Sequence, residues 1–115
     1  DSVFLKKYEL KGYRLNFRSK YRAADIEKSK NSLVPGALFE ISKSDEKKLD
    51  VYEDYPILYK KLYFTYYNKT VMTYTMVNKT EFRYPTERYL NVVKRGYKDC
   101  KLDMKYLKIA LQPVK

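Results

Sequence analysis

One carboxylate in the chain has a sequence setting suited to proton transfer. Glu53 lies between Tyr52 and Tyr55, at the predicted end of a short helix and just before Pro56. A carboxyl group held among aromatic rings loses water, and this desolvation favours the protonated form, so the pKa rises toward the range useful for acid–base chemistry. The chain contains no histidine. Glu53 is therefore the first candidate for a catalytic residue.

The composition excludes several other kinds of site. Without histidine, neither a Ser-His-Asp nor a Cys-His catalytic system can be assembled within the chain, and the commonest zinc ligand is missing. Cys100 is the single cysteine, so an intrachain disulfide or thiolate cluster is excluded. We expect no metal site.

Charge and hydropathy bear on location and partners. No apolar run approaches the roughly 18 residues that a membrane span needs, and the N-terminus lacks a signal-peptide pattern. These features predict a soluble cytoplasmic protein without a membrane partner. The net charge is +11, but most of the 25 basic residues are lysines spread along the chain. Nucleic-acid sites favour clustered arginines, so nucleic-acid binding is not expected. A lysine-rich surface that binds acidic partners stays an alternative.

Side-chain patterns predict five strands. They cover residues 8–18, 21–27, 34–41, 59–67 and 70–77, with a polar turn over 28–32. Gly12 is expected to bend the first strand. The Asn68-Lys69 step predicts a hairpin between the last two.

Three helices complete the prediction. The first begins at Ser42, which approximates a capping box with Asp45, although Ser44 is an alternative cap. It runs to about Tyr52, with an inward stripe at Leu49, Val51 and Tyr52. The second opens at Pro85-Thr86-Glu87 and runs to about Tyr97, and the third lies between Asp103 and Pro113. The expected architecture is a single α+β domain over residues 1–115, with a small, largely antiparallel or barrel-like sheet flanked by helices.

Several motifs occur in a characteristic order along the chain. They are Leu10–Phe17, Val34–Ile41 (VPGALFEI), Asp45–Glu53 (DEKKLDVYE), Tyr55-Pro56 with Tyr59, Thr73–Met76 (TYTM), Pro85–Leu90 (PTERYL) and Gly96-Tyr97. In this order they resemble the γ-glutamylcyclotransferase-like family, also called AIG2-like. The agreement extends from about Leu10 to Leu111.

The resemblance implies a small, mixed barrel-like fold with its active site in a cavity. It implies that Glu53 matches the family's catalytic glutamate and that Tyr59 and Tyr89 line the substrate pocket. The reaction would convert a small-molecule γ-glutamyl substrate into 5-oxoproline and release an amine or amino acid. One glutamate can carry the proton traffic, so no cofactor is expected.

Two departures from the family pattern matter. The family's Tyr-Gly-Ser-Asn-Leu-type loop, whose backbone amides hold the substrate carboxylate and the oxyanion, has no counterpart here. We expect either an N-terminally incomplete form of an active enzyme or an inactive family member that acts as a binding module. Asp54 replaces the family's glycine and is expected to tolerate the left-handed turn there. The amine portion of the substrate and the oligomeric state stay open.

Overall fold

A computed structural model of the protein describes residues 2–112. Its elements, in chain order, are β1 (Ser2–Arg18), β2 (Ala23–Ile41), α1 (Lys43–Tyr52), β3 (Tyr59–Tyr66), β4 (Lys69–Met76), α2 (Glu87–Asp99) and α3 (Met104–Ala110). The strands form two antiparallel two-stranded sheets, β1–β2 and β3–β4. The predicted mixed α+β class with antiparallel strands is confirmed.

β1 and β2 form a long hairpin in which Ser2 faces Ile41 and Arg18 faces Ala23. Gly12 has a positive φ of 82° at a shift in register, as the predicted bend requires. Across this shift Lys11 faces Leu33 while Tyr13 faces Lys28. The predicted turn over 28–32 is therefore wrong: the polar run is accommodated as a bulge within one continuous strand, and the described residues form four strands rather than five.

The second hairpin pairs β3 with β4 from Tyr59–Met76 to Tyr66–Lys69. Its two-residue turn consists of Tyr67 and Asn68, with φ values of 46° and 64°. Two consecutive positive φ values fit the twist of a tight hairpin. The predicted hairpin is confirmed, with its turn one residue earlier than expected.

A buried carboxylate joins the two hairpins. Asp25 of β2 accepts hydrogen bonds from the Met76 amide at 2.7 Å and from the Thr75 hydroxyl at 3.1 Å, both in β4. The same carboxylate forms ion pairs with Arg18 Nε at 3.2 Å and Lys79 Nζ at 2.7 Å. Because its charge is compensated on both sides, Asp25 can be buried at 2% exposure.

The apolar core lies where α2 and α3 pack on the end of the first hairpin. It consists of Phe17, Leu90, Tyr97, Leu107 and Ala110. Leu90 and Tyr97 come from α2, and Leu107 and Ala110 come from α3. Pro113, predicted to follow the last helix, lies outside the described residues.

α1 begins at the predicted N-cap, but the side of the helix that was predicted to face the interior is exposed to solvent. Ser42 is its N-cap: the Ser42 hydroxyl accepts from the Asp45 amide at 3.0 Å, and the Asp45 carboxylate accepts from the Ser42 amide at 3.3 Å. The predicted inward stripe is wrong, since Val51 and Tyr52 are 82% and 83% exposed and the helix buries no residue. None of the helices within residues 2–112 is long and apolar enough to cross a membrane.

Candidate functional site

Glu53 is the C-cap of α1, directly after the last helical residue. Its amide donates to the Leu49 carbonyl at 2.8 Å, and Asp54 then takes a positive φ of 54°, as expected for the position where the family has glycine. The Asp54 carbonyl accepts hydrogen bonds from the amides of Ile57 and Leu58. This compact turn delivers the chain directly into β3, whose first residue is Tyr59. Glu53 and Tyr59 therefore stand at the two ends of one short turn.

The Glu53 carboxyl group is half-buried and has no ionic partner. Burial raises its pKa, and the neighbouring Asp54 is not among the causes. Within the described residues, its carboxylate makes no hydrogen bond or salt bridge, whereas Asp25, Glu46 and Asp50 are each paired with a cation. Glu53 thus combines an elevated pKa with a carboxylate that is free to exchange protons.

Tyr59 and Tyr89 meet at a single residue of β2. The Tyr59 hydroxyl donates to the Ala24 carbonyl at 2.6 Å, and the Ala24 amide donates to the Tyr89 hydroxyl at 3.0 Å. Burial is the main reason why the pKa of each tyrosine is raised, and the negative charge of Glu53 raises both further. The structure therefore brings all three sequence-predicted site residues into one electrostatically connected group.

The two tyrosines differ in what their hydroxyl groups can still do. Tyr59 is 7% exposed and uses its proton in the bond to the Ala24 carbonyl. Tyr89 accepts from Ala24 and is only half-buried, so its own proton stays available for donation. This difference favours Tyr89 as the tyrosine that contacts a ligand and Tyr59 as the one that supports β2. Their role in lining a substrate pocket stays a prediction.

Tyr52 belongs to the same group, although the sequence pattern assigned it to the protein interior. It makes a small contribution to the raised pKa of both Tyr59 and Tyr89. Its side chain is nevertheless exposed to solvent. The signal that could have found it is its position directly before Glu53.

Two cavities lie elsewhere, beside the bulge of β2. One of about 380 Å³ is lined by Lys11, Gly12, Asn31, Ser32, Leu33 and Tyr106, and one of about 180 Å³ shares several of these residues. Neither is lined by Glu53, Tyr59 or Tyr89, so neither is the cavity that the resemblance implies. Among residues 2–112, no group of three or more His, Cys, Asp or Glu side chains is placed to hold a metal ion.

Fold and site together define a small α+β protein in which a half-buried glutamate without an ionic partner accompanies two tyrosines that bind the same backbone residue. The profile of the family described as Gamma-glutamyl cyclotransferase, AIG2-like, matches residues 1–94. Because the match covers most of the chain, the protein belongs to this family.

Solved structures support the fold. An uncharacterised protein from Homo sapiens aligns with a TM-score of 0.77 and 23% identity, over 99% of this chain and 77% of its own. A protein described as Gamma-glutamyl cyclotransferase aligns with a TM-score of 0.76 and 21% identity, over the same shares of the two chains. A comparison with curated proteins found no match. At these identities the structural likeness establishes the fold alone.

Proposed function

We propose that the protein is a γ-glutamylcyclotransferase that acts on a small γ-glutamyl substrate, with Glu53 as its general acid and base. The observation that carries the proposal is the half-buried, unpaired carboxyl group of Glu53 beside Tyr59 and Tyr89. Family membership supports the class of reaction. The product would be 5-oxoproline together with a free amine or amino acid.

The proposed reaction is an intramolecular aminolysis. The α-amino nitrogen of the γ-glutamyl group attacks the γ-carbonyl carbon, forming a new C–N bond and closing a five-membered ring. The original γ-amide C–N bond then breaks and the amine departs. Atoms balance without water, a co-substrate or an oxidant. Since nucleophile and electrophile belong to one molecule, the protein mainly has to hold the substrate in its folded conformation.

Protons must move in both halves of this reaction. The α-ammonium group must lose a proton before its nitrogen can attack, and the departing nitrogen must gain one. Glu53 can accept the first proton and deliver it to the second position. A carboxyl group with a raised pKa is suited to both steps because its acid and base forms lie closer in energy near neutral pH.

Tyr89 is the proposed substrate contact. Its hydroxyl is fixed in place by the Ala24 amide, and its remaining proton can be donated to an oxygen of the substrate. Tyr59 supports this arrangement from the other side of Ala24. The tyrosines would orient the γ-glutamyl group while Glu53 transfers protons.

The proposal is tested by assaying 5-oxoproline release from a panel of γ-glutamyl amines and γ-glutamyl amino acids. Glu53→Gln keeps the side-chain volume but removes the acid–base group, and kcat should fall at least about 100-fold. Glu9→Gln, an exposed carboxylate-to-amide change on β1, is the matched control and should keep wild-type kcat.

The outcomes separate the two candidate functions. Wild-type rates in Glu53→Gln would contradict the role of Glu53. Saturable binding of γ-glutamyl compounds without product would identify an inactive family member that acts as a binding module.

A further inference from the structure

We propose that Asp50 is a positioning residue for Glu53, held by a polar clamp that consists of Glu46, Asp50, Lys61 and Tyr74. The inference rests on the proposed function, because a positioning role for Asp50 requires that Glu53 take part in catalysis. Its structural part, that the clamp fixes the end of α1, can be tested independently of any activity.

The clamp connects α1 to both strands of the second hairpin. Asp50 accepts a hydrogen bond from the Tyr74 hydroxyl of β4 at 2.5 Å through one oxygen, and from Lys61 Nζ of β3 at 3.1 Å through the other. Lys61 also donates to the Glu46 carboxylate at 2.6 Å. The Lys61 side chain is 10% exposed, which limits competition from water. Both oxygens of Asp50 are therefore committed to the hairpin.

These polar contacts matter because α1 has no fully buried apolar side chain. The helix buries none of its residues, and its aliphatic and aromatic side chains at Val51 and Tyr52 face solvent. Most helices of small domains are held by an apolar face packed on the core. The helix that carries Glu53 is attached instead through charges and hydrogen bonds, so its exact position depends on them.

The clamp also reaches the chain on both sides of Glu53. Asp50 lies one helical turn before Glu53, and its carbonyl accepts a hydrogen bond from the Tyr55 amide at 2.9 Å. Lys61 Nζ lies 4.4 Å from the centre of the Tyr55 ring. One residue three positions before the candidate catalytic group and one two positions after it are thus tied to the same lysine. A displacement of about 1 Å in such a group can reduce a rate about 100-fold.

The clamp explains why two acids three residues apart have different tasks. The Tyr74 hydroxyl and Lys61 lower the pKa of Asp50, so this carboxyl stays ionised and paired. Burial without a partner raises the pKa of Glu53. Asp50 is suited to hold the helix and Glu53 to exchange protons.

The test combines amide hydrogen exchange with kinetics in Asp50→Asn, Lys61→Met and Tyr74→Phe. Exchange at the amides of Glu53, Tyr55 and Leu58 should accelerate at least about tenfold in Asp50→Asn and Lys61→Met. Exchange in α2 should not change, because among the described residues the clamp joins α1 to β3 and β4 and makes no hydrogen bond or ion pair with α2. kcat should fall about 10- to 100-fold with KM within threefold.

Two further variants control for charge and position. Lys60→Met removes the exposed lysine next to Lys61 on β3 and should behave as wild type. Lys61→Arg keeps a cation in reach of both carboxylates and should restore part of the lost kcat.

Unchanged exchange at Glu53, Tyr55 and Leu58 together with unchanged kcat in Asp50→Asn and Lys61→Met would overturn the proposal. Acceleration that is equally large in α2 would also overturn it, because the clamp would then contribute to global stability rather than to local position. Local acceleration in a protein that makes no 5-oxoproline would support the clamp and refute the proposed function.

Discussion

Tyr59 and Tyr89 bind opposite backbone groups of the same residue, Ala24. One hydroxyl donates to its carbonyl at 2.6 Å and the other accepts from its amide at 3.0 Å. The tyrosines come from β3 and α2, so this shared residue joins a strand and a helix to β2, and the negative charge of Glu53 acts on both hydroxyl groups. The proposed supporting role of Tyr59 and the proposed substrate-binding role of Tyr89 are therefore linked through one peptide segment.

This shared contact predicts that the two tyrosines are coupled in stability. Tyr59→Phe and Tyr89→Phe each leave a backbone group of Ala24 without its partner, and each should cost about 1–2 kcal/mol of unfolding free energy. Because both act on Ala24, the double variant should deviate from additivity by at least about 0.5 kcal/mol in urea denaturation. Tyr63→Phe, at an exposed tyrosine of β3, should stay within about 0.5 kcal/mol of wild type. Strict additivity would show that the contacts are independent.

The buried pair of Arg18 and Asp25 predicts a larger loss. Asp25→Asn removes one of the two carboxylates that pair with the buried Arg18 guanidinium, which lies 3.2 Å from Asp25 and also pairs with Glu27. Breaking one side of such a pair typically costs about 3–5 kcal/mol, because the remaining charge is left buried. Thermal or urea unfolding measures the loss, and Asp99→Asn at the exposed end of α2 is the control. A cost below about 1 kcal/mol would mean that Glu27, which also pairs with the Arg18 guanidinium, is enough to compensate its charge.

Glu53 is expected to reduce stability at neutral pH. Its pKa in the folded protein is raised, so its contribution to stability is fully present below its unfolded pKa and is lost as pH rises through its folded pKa. Glu53→Gln, which does not titrate, should therefore gain stability relative to wild type between acid and neutral pH. At pH 7 we expect a gain on the order of 0.5 kcal/mol, or about 2 °C in Tm. A difference in Tm that does not change with pH, measured against Glu9→Gln, would contradict this linkage.

The parts of the fold that were predictable from sequence depend on local chemistry. The Ser42–Asp45 capping box spans four residues, the bend at Gly12 depends on that residue's own φ, and Asp54 tolerates the left-handed turn by itself. Glu53 was also a local inference, because its aromatic neighbours are adjacent in sequence. These signals could be recognised without knowing the partners.

The predictions that were wrong concern features that depend on residues distant in the sequence. α1 was predicted to face inward through Val51 and Tyr52, but its orientation is set by Lys61 and Tyr74, which lie 11 and 24 residues from Asp50. The polar run over 28–32 looked like a turn because its bulge is defined only by the opposing strand. No sequence pattern indicates which tyrosines meet at a given backbone group.

The same limit applies to the site. Ala24 is 35 residues from Tyr59 and 65 from Tyr89, so the pairing of these tyrosines could not be deduced from spacing. The resemblance to a family named both tyrosines but not the contact that joins them. The polarity of their hydrogen bonds, which distinguishes Tyr89 from Tyr59, is a property of the folded protein only.

The pH dependence of kcat/KM for 5-oxoproline release tests the central claim most directly. In the wild type, the acid limb should report a group whose pKa lies above the value of about 4.3 for an unperturbed glutamate. Glu53→Gln should lack this limb and retain only a low, nearly pH-independent rate, while Glu9→Gln should reproduce the wild-type profile. An acid limb with the same kcat/KM and the same pKa in Glu53→Gln would contradict the proposed role of Glu53, because another group would then transfer the proton.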